Sequence, residues 1–223
     1  MADRSLVIVG TGGHAKVIVD IFLDAGVHPI GCTGVDLLRS DLLEGDLSRG
    51  DLLGVEIIGG DDQLPRLFAA GARQAFIAIG DNRKRRELSR AVQEIGFQLV
   101  NAVSTRASVS RFARLGTGVA IMPGAIVNAD AEIGDGVIVN TGSTVDHDCV
   151  IGPFAHIAPG TNLAGCVRVG EGVLLGIGTR VIPGITIGDW SIVGAGSVII
   201  RNLEPNIVAA GVPASILKPG NQS

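Results

Sequence analysis

Apolar positions in the first hundred residues follow two periodicities that alternate along the chain. Short apolar runs predict β-strands at residues 6–9, 29–35, 55–58, 75–79 and 97–100. Segments with apolar residues at helical spacing lie between these runs, at residues 13–25, 61–70 and 82–95, and Asp61 is placed to cap the second helix. Strands that alternate with helices predict a parallel sheet covered by helices, so residues 1–103 are expected to form a small Rossmann-like α/β domain.

From residue 109 onward, an aliphatic side chain recurs at every sixth position. Stepping by six from Val109 to Ile199 gives sixteen positions, and each is Val, Ile or Leu. Glycine often follows the aliphatic residue directly, and the position four residues after it is mostly small or β-branched. Short strands separated by corners that glycine permits predict a solenoid. Three six-residue sides close a triangular coil, so residues 104–223 are expected to form a parallel β-helix filled by stacked aliphatic side chains.

Composition agrees with this fold and excludes several classes of protein. The chain of 223 residues contains 33 glycines, one tryptophan and no tyrosine, so aliphatic side chains must fill its core. It has no apolar run long enough to span a membrane and no basic-then-apolar leader, and its three cysteines form no CxxC motif, which favours a reducing cytoplasm. A net charge of −4 gives no general attraction to nucleic acid.

Two histidines in the repeats are candidates for catalysis. His147 lies between Asp146 and Asp148, and a carboxylate beside an imidazole raises its basicity, although a solvated polar corner is the alternative interpretation. His156 follows nine residues later, or half a coil, so the two histidines are expected on opposite sides of one prism. A site that uses both would need neighbouring subunits. Cys149 is a conceivable nucleophile, but its place in the column of small residues favours packing.

The first predicted helix follows a glycine-rich turn, Gly10-Thr-Gly12-Gly13-His14. Glycines let the backbone approach a pyrophosphate, and the positive end of a helix favours its charge. Asp36 follows at a distance suited to a ribose contact. A nicotinamide cofactor, a nucleotide-sugar and a tight turn without any ligand all remain open from this motif alone.

The two motifs together are much more specific than either one alone. A short domain that opens with Gly-x-Gly-Gly-His-Ala-Lys-Val and precedes repeats such as Ile133-Gly-Asp-Gly resembles the sialic-acid O-acetyltransferase and nucleotide-aminosugar N-acetyltransferase family. The stretch from Asn140 to His156 is similar to the active-site segment of that family. The resemblance implies a left-handed β-helix, a homotrimer with active sites between subunits, acetyl-CoA as co-substrate and no required metal. It also implies a UDP- or GDP-linked 4-amino sugar as the acceptor.

The resemblance further implies roles for individual residues. His147 would be the general base in a direct acetyl transfer, Asp148 would raise its basicity, and Asn140 would support the site. The residues implied in acetyl-CoA binding are His156, Gly165, Ile177 and Ala195, and those implied in nucleotide-sugar binding are Gly12, Gly13, His14, Asp36 and Gly80. Two alternatives remain open from the sequence, namely O-acetylation of a sugar or sialic-acid hydroxyl and a non-catalytic trimeric module that binds a nucleotide.

Overall fold

A computed structural model describes residues 5–34 and 50–219 of the chain. The chain divides into two compact units between Ala102 and Val103. Within the described residues, no helix has the length and apolar character that crossing a membrane requires. Each unit has its own hydrophobic core.

The first unit is a six-stranded sheet with helices between its strands. Its elements are β1 (Leu6–Val9), α1 (Gly13–Asp24), β2 (Gly31–Thr33), β3 (Asp51–Leu52), β4 (Val55–Gly59), α2 (Leu64–Ala69), β5 (Gln74–Ile77), α3 (Asn82–Ile95) and β6 (Gln98–Leu99). The strand order is β3-β4-β2-β1-β5-β6, and every pair is parallel except β3 with β4. The predicted Rossmann-like organisation is confirmed, whereas the antiparallel hairpin of β3 and β4 was not predicted.

The helices begin and end where local chemistry allows. Asp81 caps α3 by accepting a hydrogen bond from the backbone N–H of Lys84 at 2.8 Å, and Gly96 ends the helix in the left-handed region. Asp61 was expected to cap the second helix, but it opens a short 3-10 turn (Asp61–Gln63) that precedes α2. Its carboxylate instead accepts a hydrogen bond from the Thr33 hydroxyl at 2.9 Å, which links that turn to the end of β2.

The second unit is a parallel β-helix whose two-residue strands form three faces. The first face contains Ala102–Val103, Ala120–Ile121, Ile138–Val139, His156–Ile157, Leu174–Leu175 and Ile192–Val193, followed by the longer strands Ile207–Gly211 and Ala214–Pro219. The second face contains Ser108–Val109, Ile126–Val127, Thr144–Val145, Asn162–Leu163, Arg180–Val181 and Val198–Ile199. The third face contains Arg114–Leu115, Glu132–Ile133, Val150–Ile151, Arg168–Val169 and Thr186–Ile187. Each corner of a coil takes the name of the face that it follows.

The aliphatic column predicted from the sequence fills the interior of the β-helix. Every position in it from Ile121 to Ile199 is at most 4% exposed, while Val109 and Leu115 at the start are only partly buried. Residues 18 apart pair in parallel register, as Val139 does with Ile157. Side chains of like shape therefore stack between coils, and the core needs no aromatic rings.

The glycines of the β-helix belong to two structural classes. The residue three positions after the buried aliphatic takes a positive φ, as Gly124 does after Ile121, and this is where glycine permits the corner. The glycine directly after the aliphatic does not adopt this conformation. A Cβ at Gly134 would lie 2.8 Å from the backbone nitrogen of Pro153 in the next coil. The expectation that this glycine turns the corner is wrong, because its function is to let successive coils stack closely.

Candidate active site and nucleotide pocket

A pocket of about 400 Å³ lies at the carboxyl ends of the first unit's central strands. The chain runs outward through β1, β2 and β4 and then returns to β5 on the other side of β1, so the strand order reverses beside β1. Ligands of open α/β sheets bind at such a reversal. The pocket is lined by residues 10–14 after β1, Gly34 after β2, residues 78–81 after β5, and Asp61, Lys84 and Leu88.

The turn after β1 leaves backbone groups of α1 open to the pocket. Gly12 caps this helix without any side-chain hydrogen bond. Apart from the adjoining backbone, no atom of the described residues lies within 4 Å of the Cβ positions of Gly12, Gly13 and Gly80. The first amides of a helix attract an anion such as a phosphate. Gly10 differs, because a Cβ there would lie 2.6 Å from the carbonyl oxygen of Ala78, so this glycine is required by the packing of β1 beside β5.

His14 presents an unused hydrogen-bonding atom at this pocket. Its Nε2 is buried and has no hydrogen-bond partner in the part of the chain that the structure describes. Burial, and to a smaller extent the charge of Arg85, lowers the pKa of His14 to about 4. The imidazole is therefore neutral at physiological pH and able to exchange a hydrogen bond with a ligand.

Arg85 holds the loop after β5 in place. Its guanidinium is 1% exposed and donates hydrogen bonds to the carbonyl oxygens of Ile79 and Gly80, both at 3.0 Å, and to Oδ1 of Asn82 at 2.8 Å. Burial lowers the pKa of Arg85 to about 10, although the charge of Asp81 opposes this shift. Arg85 was not predicted from the sequence. Arg85 lies three residues after Asn82 on the same side of a helix that follows Gly80. This spacing could have predicted a contact between Arg85 and the loop after β5.

Of the residues that the resemblance assigned to the nucleotide-sugar, four line this pocket: Gly12, Gly13, His14 and Gly80. Asp36, the fifth, lies outside the described residues. Thr11, Asp61 and Lys84 also line the pocket and were not predicted.

His147 and Asp148 form a hydrogen-bonded pair at a corner after the second face. Nδ1 of His147 lies 2.7 Å from Oδ2 of Asp148, and this hydrogen bond raises the pKa of His147 above its ordinary value. Asp146 plays a different part, since its Oδ1 accepts hydrogen bonds at 2.8 Å from the backbone N–H of His147 and from the amide of Asn128. One aspartate therefore contacts the ring, and the other fixes the backbone.

Gly165 lies one coil beyond His147 at the same corner. A Cβ at residue 165 would be 2.5 Å from both Cε1 and Nε2 of the His147 imidazole. The backbone amide of Gly165 has no hydrogen-bond acceptor among the described residues. Cys149, also at this corner, is buried, donates from Sγ to the carbonyl oxygen of Ala164 at 3.2 Å, and has its pKa raised to about 11 by burial. These observations favour packing over nucleophilic chemistry for Cys149.

The remaining candidates lie at the first face and the corner after it. Nδ2 of Asn140 lies 2.9 Å from Nε2 of His156, so Asn140 contacts this histidine and is placed away from the corner of His147. Ile177 and Ala195 occupy equivalent positions of successive coils, and Ile177 is 62% exposed. The candidates thus form two groups in one chain. The base group consists of His147, Asp148 and Gly165, and the first-face group consists of Asn140, His156, Ile177 and Ala195.

This α/β unit followed by a β-helix of hexapeptide repeats defines the class of hexapeptide-repeat transferases. The family described as PglD N-terminal domain matches residues 5–92, and that described as bacterial transferase hexapeptide (six repeats) matches residues 166–201. A comparison with curated proteins gave no match.

Solved structures give closer comparisons. PerB from Caulobacter crescentus, in complex with CoA and GDP-perosamine, is 46% identical with a TM-score of 0.88, and the match covers 96% of this chain and 98% of that one. The acetyltransferase domain of PglB from Neisseria gonorrhoeae FA1090 is 33% identical with a TM-score of 0.85, over 96% of this chain and 100% of that one. The chain therefore belongs to the nucleotide-aminosugar N-acetyltransferase family, as the sequence motifs indicated, and its second unit is the left-handed β-helix of that family.

Proposed function

We propose that this chain transfers the acetyl group of acetyl-CoA to the amino group of a nucleotide-linked amino sugar, with His147 as general base. The observation that carries the proposal is the His147–Asp148 pair held against Gly165 on the β-helix. The 46% identical relative is bound to CoA and GDP-perosamine, and other structures of that relative carry substitutions of a single histidine. A carboxylate on Nδ1 leaves Nε2 to accept a proton from the substrate.

The proposed reaction is a direct transfer without a covalent enzyme intermediate. The sugar nitrogen attacks the thioester carbonyl carbon, a C–N bond forms, and His147 takes a proton from the nitrogen. The C–S bond then breaks, and coenzyme A leaves as a thiolate that is protonated to the thiol. The unused amide of Gly165 is our candidate donor to the oxygen that becomes negative in the transition state, where one such donor contributes about 10²–10³ in rate.

The pocket of the first unit is our candidate site for the nucleotide diphosphate. The backbone amides of Gly12 and Gly13, which have no acceptor among the described residues, suit the phosphates. The Nε2 of His14, likewise unpartnered within the described residues, suits a neutral polar group of the same ligand. We propose GDP as the carrier, because the 46% identical relative is bound to GDP-perosamine. A panel of GDP- and UDP-linked amino sugars tests this, and a preference for UDP-linked acceptors of at least about tenfold in kcat/KM, or about 1.4 kcal/mol, would contradict it.

We further propose a homotrimer in which each active site combines the two groups from neighbouring subunits. The groups occupy different corners of one β-helix, so a single chain keeps His147 and His156 apart. The first face and the corner after it expose aliphatic side chains, with Ile192 45% exposed and Ile177 62% exposed. A neighbouring copy that covered this surface would bury apolar area and bring its own corner toward His156.

Mixed oligomers test the shared site. His147→Ala and His156→Ala chains are each expected to be inactive alone. The two variants are then refolded together at equal amounts. If the site lies between subunits, about a quarter of the sites combine an intact His147 from one chain with an intact His156 from its neighbour, so up to about a quarter of wild-type activity should return. A mixture that stays as inactive as its components, with a trimeric mass by ultracentrifugation, would place each site within one chain.

Replacement of the base tests the catalytic role. His147→Ala should lower kcat by roughly 10²–10⁴ with saturating substrates. The exposed His28 provides the matched control, and His28→Ala should retain full activity. An acceptor with a hydroxyl group in place of the amine addresses the alternative of O-acetylation. Faster turnover of this analogue than of the amine would overturn the proposed N-acetylation.

A further inference from the structure

Three side chains able to bind a metal ion lie together at the corner after the second face. They are His147, Asp148 and Cys166, and their ligand atoms all lie within 4.8 Å of one another. In the part of the chain that the structure describes, no other group of three or more histidine, cysteine or acidic side chains meets this criterion. All three residues are exposed, so an ion has access to them.

Backbone geometry holds these residues at adjacent positions. Cys166 follows Asp148 by one full coil of 18 residues, and both adopt a positive φ, 57° for Asp148 and 61° for Cys166. The backbone N–H of Cys166 donates a hydrogen bond to the carbonyl oxygen of His147 at 2.9 Å. The β-helix register therefore places the thiol beside the proposed base and its carboxylate partner.

The mixture of sulfur, nitrogen and oxygen ligands selects the class of ion. Zinc binds thiolate, imidazole and carboxylate at about 2.0–2.3 Å, which puts tetrahedral ligand atoms about 3.5 Å from each other. Ligand atoms that lie within 4.8 Å of one another are already close to that spacing. Magnesium and calcium prefer ligand sets made of oxygen and would gain little from a thiol. Three protein ligands leave a fourth position for water.

We propose that His147, Asp148 and Cys166 form a site for a soft divalent cation such as Zn²⁺, and that its binding reversibly blocks acetyl transfer. The inhibitory part rests on the proposed function. A neutral imidazole has a single free lone pair, so a metal bound at Nε2 occupies the position that would accept the substrate proton, and a metal bound at Nδ1 leaves the ring proton on Nε2. Cys166 has no role in the proposed transfer. Its substitution therefore separates metal binding from catalysis.

Direct binding tests the site without any reference to activity. The metal-free full-length chain, reduced with a phosphine, is titrated with Zn²⁺ against a chromophoric chelator. Wild type should bind a single equivalent, and Cys166→Gly should bind it more weakly by over about tenfold. Glycine suits the positive φ at this position, so the variant is expected to fold. Cys149→Ala, which removes a buried thiol at the same corner, is the matched control and should bind as wild type does.

Activity tests the consequence of binding. The assay follows the acetylated sugar, since coenzyme A itself carries a thiol, and free Zn²⁺ is set with a metal buffer. Zn²⁺ should inhibit wild type and Cys149→Ala, excess chelator should restore their activity, and Cys166→Gly should stay active at Zn²⁺ concentrations that inhibit wild type. Magnesium at the same concentration should have no effect on any of the three proteins.

Each other result has a defined meaning. Equal zinc affinity of wild type and Cys166→Gly would overturn the site. Binding through Cys166 that leaves turnover unchanged or raises it would overturn the inhibition. If His147→Ala remains active while Cys166→Gly loses zinc binding, the proposed catalytic role fails and the metal site stands, so the two failures are distinguishable.

Discussion

The imidazole of His147 occupies the space that a side chain at residue 165 would need. The two residues are one coil apart at the same corner, and a Cβ at Gly165 would lie 2.5 Å from Nε2 of the ring. At Gly165 glycine is therefore required by the ring above it, since its backbone is not in the positive φ region. The same ring is fixed at Nδ1 by Asp148.

Gly165→Ala should displace the imidazole while leaving the β-helix intact. The added methyl group meets a side chain that is more than half exposed and can rotate outward at the cost of its exposed hydrogen bond to Asp148, so the thermal midpoint should change little. We expect kcat to fall by about tenfold or more, because a small misplacement of a catalytic group is costly. Steady-state kinetics and a thermal melt measure both effects. Unchanged kcat with a displaced ring, seen in a structure of the variant, would contradict the assignment of His147 as base.

Asp148→Asn should move the pH dependence of the reaction. The hydrogen bond to Asp148 raises the pKa of His147, so the protonated, inactive imidazole persists to higher pH than it does for an ordinary histidine near 6.5. The acidic limb of kcat/KM should therefore shift to lower pH in Asp148→Asn, with a lower plateau from the weaker base. Asp146→Asn is the comparison, because Asp146 accepts a hydrogen bond from the backbone of His147 and raises the pKa of the ring only through its charge, a smaller cause than the hydrogen bond to Asp148, so its shift should be smaller. A larger shift in Asp146→Asn than in Asp148→Asn would contradict this division of roles.

Two glycines in the first turn should respond differently to the same substitution. Gly12 has open space at its Cβ position, so Gly12→Ala should fold normally and raise KM for the nucleotide-sugar by filling the pocket. Gly10 takes a φ of 131° against the carbonyl oxygen of Ala78, so Gly10→Ala should lower the free energy of unfolding by roughly 1–3 kcal/mol. Urea unfolding and substrate titration separate the two effects. Loss of stability in Gly12→Ala equal to that in Gly10→Ala would contradict the prediction.

The sequence predicted the fold wherever a periodicity carried the information. Stepping by six found the buried column from Ile121 to Ile199, because each position repeats the same environment in every coil. The pairing of β3 with β4 was missed, since a two-residue strand leaves almost no apolar pattern. The separate function of glycines such as Gly134 was also missed, because contacts between coils join residues that are far apart along the chain.

In the candidate sites, too, the contacts between residues far apart along the chain were not predicted. A motif placed His147 beside Asp148, but only the register of the β-helix brings Gly165 and Cys166 to that corner. The resemblance grouped Asn140 with His147, yet Asn140 contacts His156, a residue that the coil brings back to the same face. Arg85 was not predicted, because no local sequence pattern marks an arginine whose guanidinium becomes buried and donates hydrogen bonds to carbonyl oxygens.

His14 should make the folded chain sensitive to mild acid. Its pKa is lowered to about 4 in the folded state, below the ordinary value of 6.5 expected after unfolding. The unfolded chain therefore binds this proton more tightly, and stability is lost as the pH falls from 6.5 toward 4. The loss from this one group reaches about 2 kcal/mol at pH 5 relative to pH 7. Urea unfolding at the two pH values measures it.

The variant His14→Gln isolates this contribution from the other titrating groups. Glutamine keeps a polar side chain at the pocket but has no proton to gain, so the difference in stability between pH 7 and pH 5 should be smaller than in wild type by about 2 kcal/mol. His28→Gln changes an exposed histidine and should keep the wild-type difference. His147 contributes with the opposite sign in all three proteins, because its folded pKa is raised, and so cancels from the comparison. Identical pH dependence in wild type and His14→Gln would show that the pKa of His14 is the same in the folded and unfolded chains, and the lowered pKa that keeps the buried imidazole neutral in mild acid would then be wrong.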